Sequence, residues 1–248
     1  MKDTEEAIRR WDIVAEEIAA TYTHQGDRSR EVLLNPVLID LLGPVENKEI
    51  LDAGCGEGYL SRILADKGAH VVAVDYSRKM LEIAKKRTLS DKVKYYYGNC
   101  ENLQFLKSET FDIIVSNMVL QDLADYGGAM REMFRLLVKN GLFIFSISHP
   151  CFTTPDSGWI KEDGIKLYWK VDKYFCEVPF DQKWPTKARV RILLFHRTLT
   201  SYFRTIRESG FTIEDIIEPK PSEEMIQSYP NFKDDLRMCH FLVFKLRK

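Results

Sequence analysis

A chain of 248 residues, 45% hydrophobic and 29% charged, has the length and composition of a soluble globular enzyme built as one large α/β domain or a domain with a sizeable insertion. Thirty-six basic residues against thirty-seven acidic leave a net charge of −1, which argues against a nucleic-acid binder relying on a whole-protein positive field. Cys55, Cys100, Cys151, Cys176 and Cys239 show no CxxC pair or metal-ligand spacing, so free thiols in a reducing cytosol are expected, with no bound metal.

The opening stretch is charged and amphipathic, without the apolar core of a signal peptide, and no apolar run reaches bilayer length. A cytoplasmic protein without a membrane partner is expected. Ile8, Trp11, Val14, Ala15 and Ile18 recur at helical spacing, and a second helical stretch runs from Ser29 to Leu42, interrupted by Pro36. Short apolar runs then alternate with amphipathic helices. Strands are predicted over 49–53, 70–75, 93–97, 111–117 and 142–148, with helices over 59–67, 77–87 and 129–138. Runs of Val, Ile and Phe without polar alternation suit a parallel sheet covered on both faces, with right-handed crossovers.

After His149-Pro150 the pattern breaks. Residues 151–188 are aromatic, mixed in charge and without a clear helical period, and hold Trp159, Tyr168, Trp169, Tyr174, Phe175, Phe180 and Trp184. A strand over 190–195, a helix over 199–209 ended by Gly210 and strands over 211–217 and 240–246 follow. The last two would complete a seven-stranded sheet.

The segment Ile50-Leu51-Asp52-Ala53-Gly54-Cys55-Gly56-Glu57-Gly58 runs from a strand straight into a helix. Its glycines let the chain turn tightly and approach a ligand. A dinucleotide fingerprint, GxGxxG, would need glycine at position 59, where Tyr59 stands; the third glycine comes one residue early. The charge of Asp52 would oppose a pyrophosphate but suits a cationic amino-acid ligand. Asp75 closes the next strand about twenty residues on, where a carboxylate can take both hydroxyls of a ribose.

These motifs resemble motifs I and II of the class I S-adenosylmethionine-dependent methyltransferases, most closely the ubiquinone-biosynthesis-like small-molecule branch. Gly98 to Leu103, Phe111 to Asn117 and Leu136 to Leu142 resemble the family's later motifs, so the likeness spans 49–148. It implies a doubly wound, Rossmann-like α/β sheet of seven strands with the last antiparallel. N-terminal helices (1–44) would cap a cofactor core (45–150), followed by a substrate lid (151–188) and the completion of the sheet (189–248). The implied activity is methyl transfer from S-adenosylmethionine to a small molecule, releasing S-adenosylhomocysteine. Gly54, Gly56 and Gly58 would line the methionine moiety, with Asp52 organising the loop and Cys55 a small side chain within it. Asp75 would hold the ribose, Tyr76 and Met80 would flank the adenine, and Asn99, Cys100 and Glu101 would meet its edge. Asn117 and Met118 would lie under the sulfonium, and Tyr22 would close over the cofactor. Asn99 replaces the family's usual Asp and forgoes a charge-assisted bond.

Methyl transfer needs orientation, and a base when the acceptor has a proton to lose. His149 and His196 both end strands at the carboxyl edge of the sheet, where they could serve as base or substrate ligand, or be structural. The aromatic insertion could cover an apolar or planar acceptor, or simply pack on the sheet. Oxygen, nitrogen and carbon acceptors all remain open. A tRNA or other RNA methyltransferase would need a basic face at that edge, and a non-catalytic cofactor-binding protein would keep the glycines and Asp75 but lack an acceptor pocket. Replacing Asp75 with alanine is expected to weaken cofactor binding by about 1–3 kcal/mol if its carboxylate holds the ribose; unchanged affinity by calorimetry would remove that assignment.

Overall fold

The structure, a computed structural model, describes residues 2–183 and 187–248; Trp184, the last ring of the expected lid, lies outside the described residues. Helix α1 (Thr4–Ala20) starts on Asp3, whose side chain accepts the Glu6 N–H, and buries Ala7, Val14, Ala15 and Ile18 along one face. Where an interrupted helix was expected, a π-helical turn over Arg30–Leu34 leads into α2 (Asn35–Leu42). The Asn35 N–H bonds five residues back to the Arg30 carbonyl. That extra residue in the turn places Pro36, which has no N–H to give, in the first turn of α2.

Five parallel strands follow: β1 (Glu49–Ala53), β2 (His70–Asp75), β3 (Val93–Tyr97), β4 (Phe111–Asn117) and β5 (Leu137–Ser148). Between them run α3 (Tyr59–Asp66), α4 (Arg78–Arg87) and α5 (Tyr126–Leu136). The last of these begins ahead of the expected Ala129. Asp125 caps it by accepting the Gly128 N–H at 2.7 Å, so Gly127 and Gly128 lie inside the helix.

The irregular insertion expected over 151–188 is instead largely β-structure. A hairpin of β6 (Asp156–Glu162) and β7 (Ile165–Asp172) turns on Asp163-Gly164, both left-handed at φ 49° and 82°. This is the geometry a type I′ turn demands and an Asp-Gly pair supplies. Trp159 and Trp169 meet edge to face across the hairpin, their ring centroids 5.4 Å apart. Next, β8 (Pro179–Lys183) pairs antiparallel with β9 (Arg191–Phe195), leaving both outside the main sheet. Helix α6 (Leu199–Glu208), β10 (Thr212–Ile217), α7 (Glu223–Ser228) and β11 (Phe241–Arg247) complete the chain.

The main sheet has seven strands in the order β10-β11-β5-β4-β1-β2-β3, with β11 antiparallel to both neighbours. The order reverses between β1 and β4, and the crevice outside their carboxyl ends is where ligands bind in such sheets. Buried apolar side chains cover both faces, one packed against α5 and α6 and the other against α2 and α3. A third cluster joins Val14, Ala15 and Ile18 of α1 to Met80 of α4 and to Ile192 and Leu194 of β9, so α1 is pinned across the carboxyl end of the sheet. None of the described helices is long and apolar enough to cross a membrane. Phe145 is fully buried and stacks on Phe244 at 4.7 Å, tying β5 to β11. Phe145→Ala is expected to cost about 3–5 kcal/mol in stability, read as a lowered denaturant midpoint.

Candidate functional site

Strand β1 ends at Ala53, and the next two amides, of Gly54 and Cys55, both donate to the Val74 carbonyl of β2 at 2.8 and 3.0 Å. This clips the loop to the neighbouring strand. Gly54 has φ +85° and a Cβ there would stand 2.3 Å from a methyl of Val119, so no other residue fits without displacing the segment after β4. Gly56, at φ +54°, has open space where its Cβ would be and faces the cavity. Its N–H donates to Asp75 Oδ2 at 2.7 Å, while the Ser77 N–H donates to Asp75 Oδ1 at 2.7 Å. One carboxylate thus joins the loops after β1 and β2.

Beneath the loop, Asp52 is 1% exposed and accepts the Ser61 hydroxyl at 2.5 Å. Burial disfavours its charge and pushes its pKa up to about 7, the nearby charge of Asp75 adding to the effect and Ser61 opposing it. Asp75 is raised to about 6, again by burial, with the Ser77 and Gly56 amides pulling the other way. Glu57 is buried with a full set of partners, bonded to Arg62 and Arg87 at 2.9 Å each. Arg87 also donates to the Ala19 carbonyl, tying α4 to the end of α1.

These elements enclose a cleft bordered by α1, the loops after β1 and β2 and the segment after β4. Ile8, Trp11 and Ile18 of α1 form its roof, and Asp75, Ser77 and Met80 one end. At the other end a polar chain fixes its wall. Asn117 Nδ2 donates to Tyr59 Oη at 2.6 Å, and Tyr59 Oη donates to Asn35 Oδ1 at 3.1 Å. Ser146 Oγ donates to Asn117 Oδ1 at 2.6 Å. Arg30 is the single cation among the described lining residues; it pairs with Asp27 and lies 5.1 Å from the Tyr22 ring centroid.

A second, much smaller pocket, with room for about one water molecule, opens at the carboxyl end of β5, lined by Gln121, Ser148, Thr153, Phe180, His196 and Tyr202 among others. The 3-10 turn Leu120–Asp122 stands between the two, with Asp122 lining the main cleft and Gln121 the second cavity. His196 Nε2 donates to the Tyr174 carbonyl at 2.7 Å, which leaves Nδ1 of the neutral ring as an acceptor. His149 lies outside both linings. Its Nδ1 accepts the Cys151 N–H at 3.1 Å and its Nε2 faces Glu218 at 2.8 Å, while burial holds its pKa below the usual histidine value.

Of the residues singled out in the sequence, Tyr22, Asp52, Gly54, Cys55, Gly56, Asp75, Met80, Asn117 and Met118 are brought together around the main cleft. Gly58 caps α3 just behind it, and Tyr76 stacks on Tyr97 at 5.2 Å. Asn99 and Glu101 bond each other, and Glu101 accepts the Asp125 N–H at 2.8 Å and the Thr4 hydroxyl at 2.5 Å. Cys100 is buried in the core. Sequence reasoning missed Arg30 and Asp122 as lining residues. A pattern of polar Gln121-Asp122 set between apolar Leu120 and Leu123 was the available signal for the second. The donor set matches S-adenosylmethionine in kind: a cation for its carboxylate, carboxylates for its ammonium and ribose, and a glycine face with no side chain in the way.

A family model described as a methyltransferase domain matches residues 51–145. A solved Listeria monocytogenes chain assigned to the S-adenosylmethionine-dependent methyltransferases is 31% identical, with 84% of this chain and 93% of that one covered and a TM-score of 0.75. The malonyl-[acyl-carrier protein] O-methyltransferase of Bacillus anthracis is 36% identical over 99 residues, and the ubiquinone biosynthesis O-methyltransferase of Pelagibacter ubique 32% identical over 103. The chain spans 36% and 43% of the length of those two curated relatives.

The raised carboxyl groups give opposite pH dependences for binding and folding. A cationic ligand between Asp52 and Asp75 favours their charged forms, so their pKa values fall on binding and affinity is expected to drop as pH falls from about 8 to about 5. The unliganded fold binds more protons than the unfolded chain between the unfolded carboxyl value near 4 and the folded values. These two groups therefore add stability as pH falls through about 7 and about 6. Calorimetric affinities for S-adenosylmethionine and melting temperatures across this range check both signs, and an affinity that stays flat would remove the two carboxylates as its counter-charges.

Proposed function

This chain belongs to the class I S-adenosylmethionine-dependent methyltransferases, and from that premise we propose that it methylates a small-molecule acceptor that approaches the cofactor cleft from the side of the second cavity. The observation that carries this reading is the shared wall: a single turn, Leu120–Asp122, lines the cofactor cleft with one residue and the second cavity with the one before it. The acceptor would have to reach past that turn into the cleft, since in-line displacement needs its nucleophilic atom within about 3–3.5 Å of the methyl carbon. Thr153 and Phe180 bring the 151–188 insertion into the cavity's lining, which supports its role on the substrate side.

In this reading Asp52 and Arg30 hold the amino-acid end of the cofactor, Asp75 its ribose, and Tyr76 and Met80 flank the adenine, with Asn99 to Glu101 at its edge. Asn117 and Met118 lie beneath the sulfonium, and Gly54 and Gly56 allow close approach. When bound, the cofactor supplies an electrophilic methyl carbon. His196 takes the proton of an acceptor that has one to lose, through the Nδ1 left free by the bond of Nε2 to Tyr174. His149, both of whose ring nitrogens are engaged, positions the 149–153 turn, where the Phe152 and Thr153 amides bond to its carbonyl. The names of the O-methyltransferase relatives support a small acceptor, but their matches lie mostly on the cofactor core, so the acceptor side rests on the cavity itself.

Incubating the protein with a deuterated-methyl cofactor and a deproteinised extract, split into metabolite and RNA fractions, tests the substrate class. Label in a metabolite is expected and identifies the acceptor by mass spectrometry, whereas label confined to RNA would overturn the small-molecule reading. With a proton-bearing acceptor in hand, His196→Gln is expected to lower kcat by about 10²–10⁴-fold while leaving S-adenosylhomocysteine affinity unchanged. An unaltered kcat would remove His196 as the base.

A further inference from the structure

Asp122 is 5% exposed, lines the main cleft and, among the described residues, has no cation paired with its carboxyl group. The Trp11 indole of α1 bonds to that group. A buried carboxylate without a paired cation is costly, and a site for a cationic ligand is one reason to retain it. The other charged groups lining the cleft are already engaged. Glu57 lies between two arginines, Arg30 pairs with Asp27, Asp52 accepts a hydroxyl and Asp75 accepts two amides.

S-Adenosylmethionine brings three charges: a carboxylate, an ammonium and a sulfonium. Arg30 and Asp52 suit the first two, and Asp75 is placed for neutral ribose hydroxyls. The sulfonium is left without a counter-charge, and Asp122 is the remaining carboxyl group of the lining, with the Trp11 indole and no paired cation beside it. Asp122 also belongs to the turn that separates the cleft from the second cavity, the direction in which the methyl group must leave. We propose that Asp122 is the counter-charge to the sulfonium and makes the protein prefer S-adenosylmethionine over S-adenosylhomocysteine. The two ligands differ by that one positive charge, so loss of the methyl group removes the attraction and favours exchange of product for fresh cofactor. This inference rests on the cofactor reading of the cleft.

The charged groups that act on Asp122 agree with this. Asp75 opposes its ionisation and Arg30 assists it, while burial pushes its pKa well above the usual carboxylate range. Arg197, from the loop before α6, is turned to the backbone carbonyls of Leu120, Leu123 and Ala124. A sulfonium would therefore draw a proton off Asp122 on binding, and a thioether would not.

The test is calorimetry of the full chain with both ligands. Asp122→Asn is expected to raise the Kd for S-adenosylmethionine about tenfold or more while changing that for S-adenosylhomocysteine less than about threefold. An equal change in both, or in neither, overturns the inference. Proton release by the unaltered protein, measured from about pH 5 to about pH 8 in buffers of different ionisation enthalpy, covers the case in which the variant does not fold. Greater release with S-adenosylmethionine supports the inference, and equal release overturns it. Failure of the unaltered protein to bind either ligand would instead refute the cofactor reading itself.

Discussion

The site is built on one carboxylate. Asp75 ends β2, and its two oxygens accept amides from the loop after β1 and from the start of α4. That pair of bonds fixes the spacing of the two loops bordering the cleft, and it is made in a place where the charge is disfavoured by burial. Parallel pairing of β1 with β2 brings their carboxyl ends level, so the geometry follows from register before any ligand is present. Gly54 can then pass close under Val119 only because the strand order reverses between β1 and β4 and the two segments face each other.

Much of this was legible in the chain. The glycine register and the acid closing the second strand are short-range features, set by turns and strand ends, and they fell where the structure places them. The sheet was legible for the same reason, since its central strands β2, β4, β5 and β11 are largely apolar. What was hidden depends on residues distant in sequence. Arg30 reaches the cleft because a π-helical turn shifts the register ahead of Pro36, and nothing in local periodicity announces such a turn. The two cavities and the turn between them exist only once α1, β5 and β9 have packed together. The β6–β7 hairpin is a different case. Its Asp163-Gly164 pair is a strong hairpin signal, obscured by aromatic residues on both flanking strands.

The roof is the least self-sufficient part of the design. Helix α1 is held by its apolar face and by groups belonging to the site's walls. Asp12 accepts the Ser77 hydroxyl, Arg87 bonds the Ala19 carbonyl, Thr4 bonds Glu101, and Arg10 pairs with Asp181 of β8. Glu57 closes the same circuit through Arg87. Ser77 and Glu101 lie beside the carboxyl ends of β2 and β3, Arg87 ends α4 and Asp181 belongs to the insertion, so polar bonds join the roof to both the core and the insertion.

This coupling explains why charge is distributed as it is around the cleft. A cavity that had to hold a cation permanently would pair its carboxylates with fixed cations, as Glu57 is paired. Asp52 and Asp75 instead keep hydroxyl and amide partners, which orient them without neutralising them. Burial then makes their ionisation costly while the cleft is empty and favourable when a positive ligand arrives. Asp122 follows the same logic, with the Trp11 indole rather than a cation beside its carboxyl group. A cationic ligand would thus complete an electrostatic arrangement that the folded chain leaves without a paired cation.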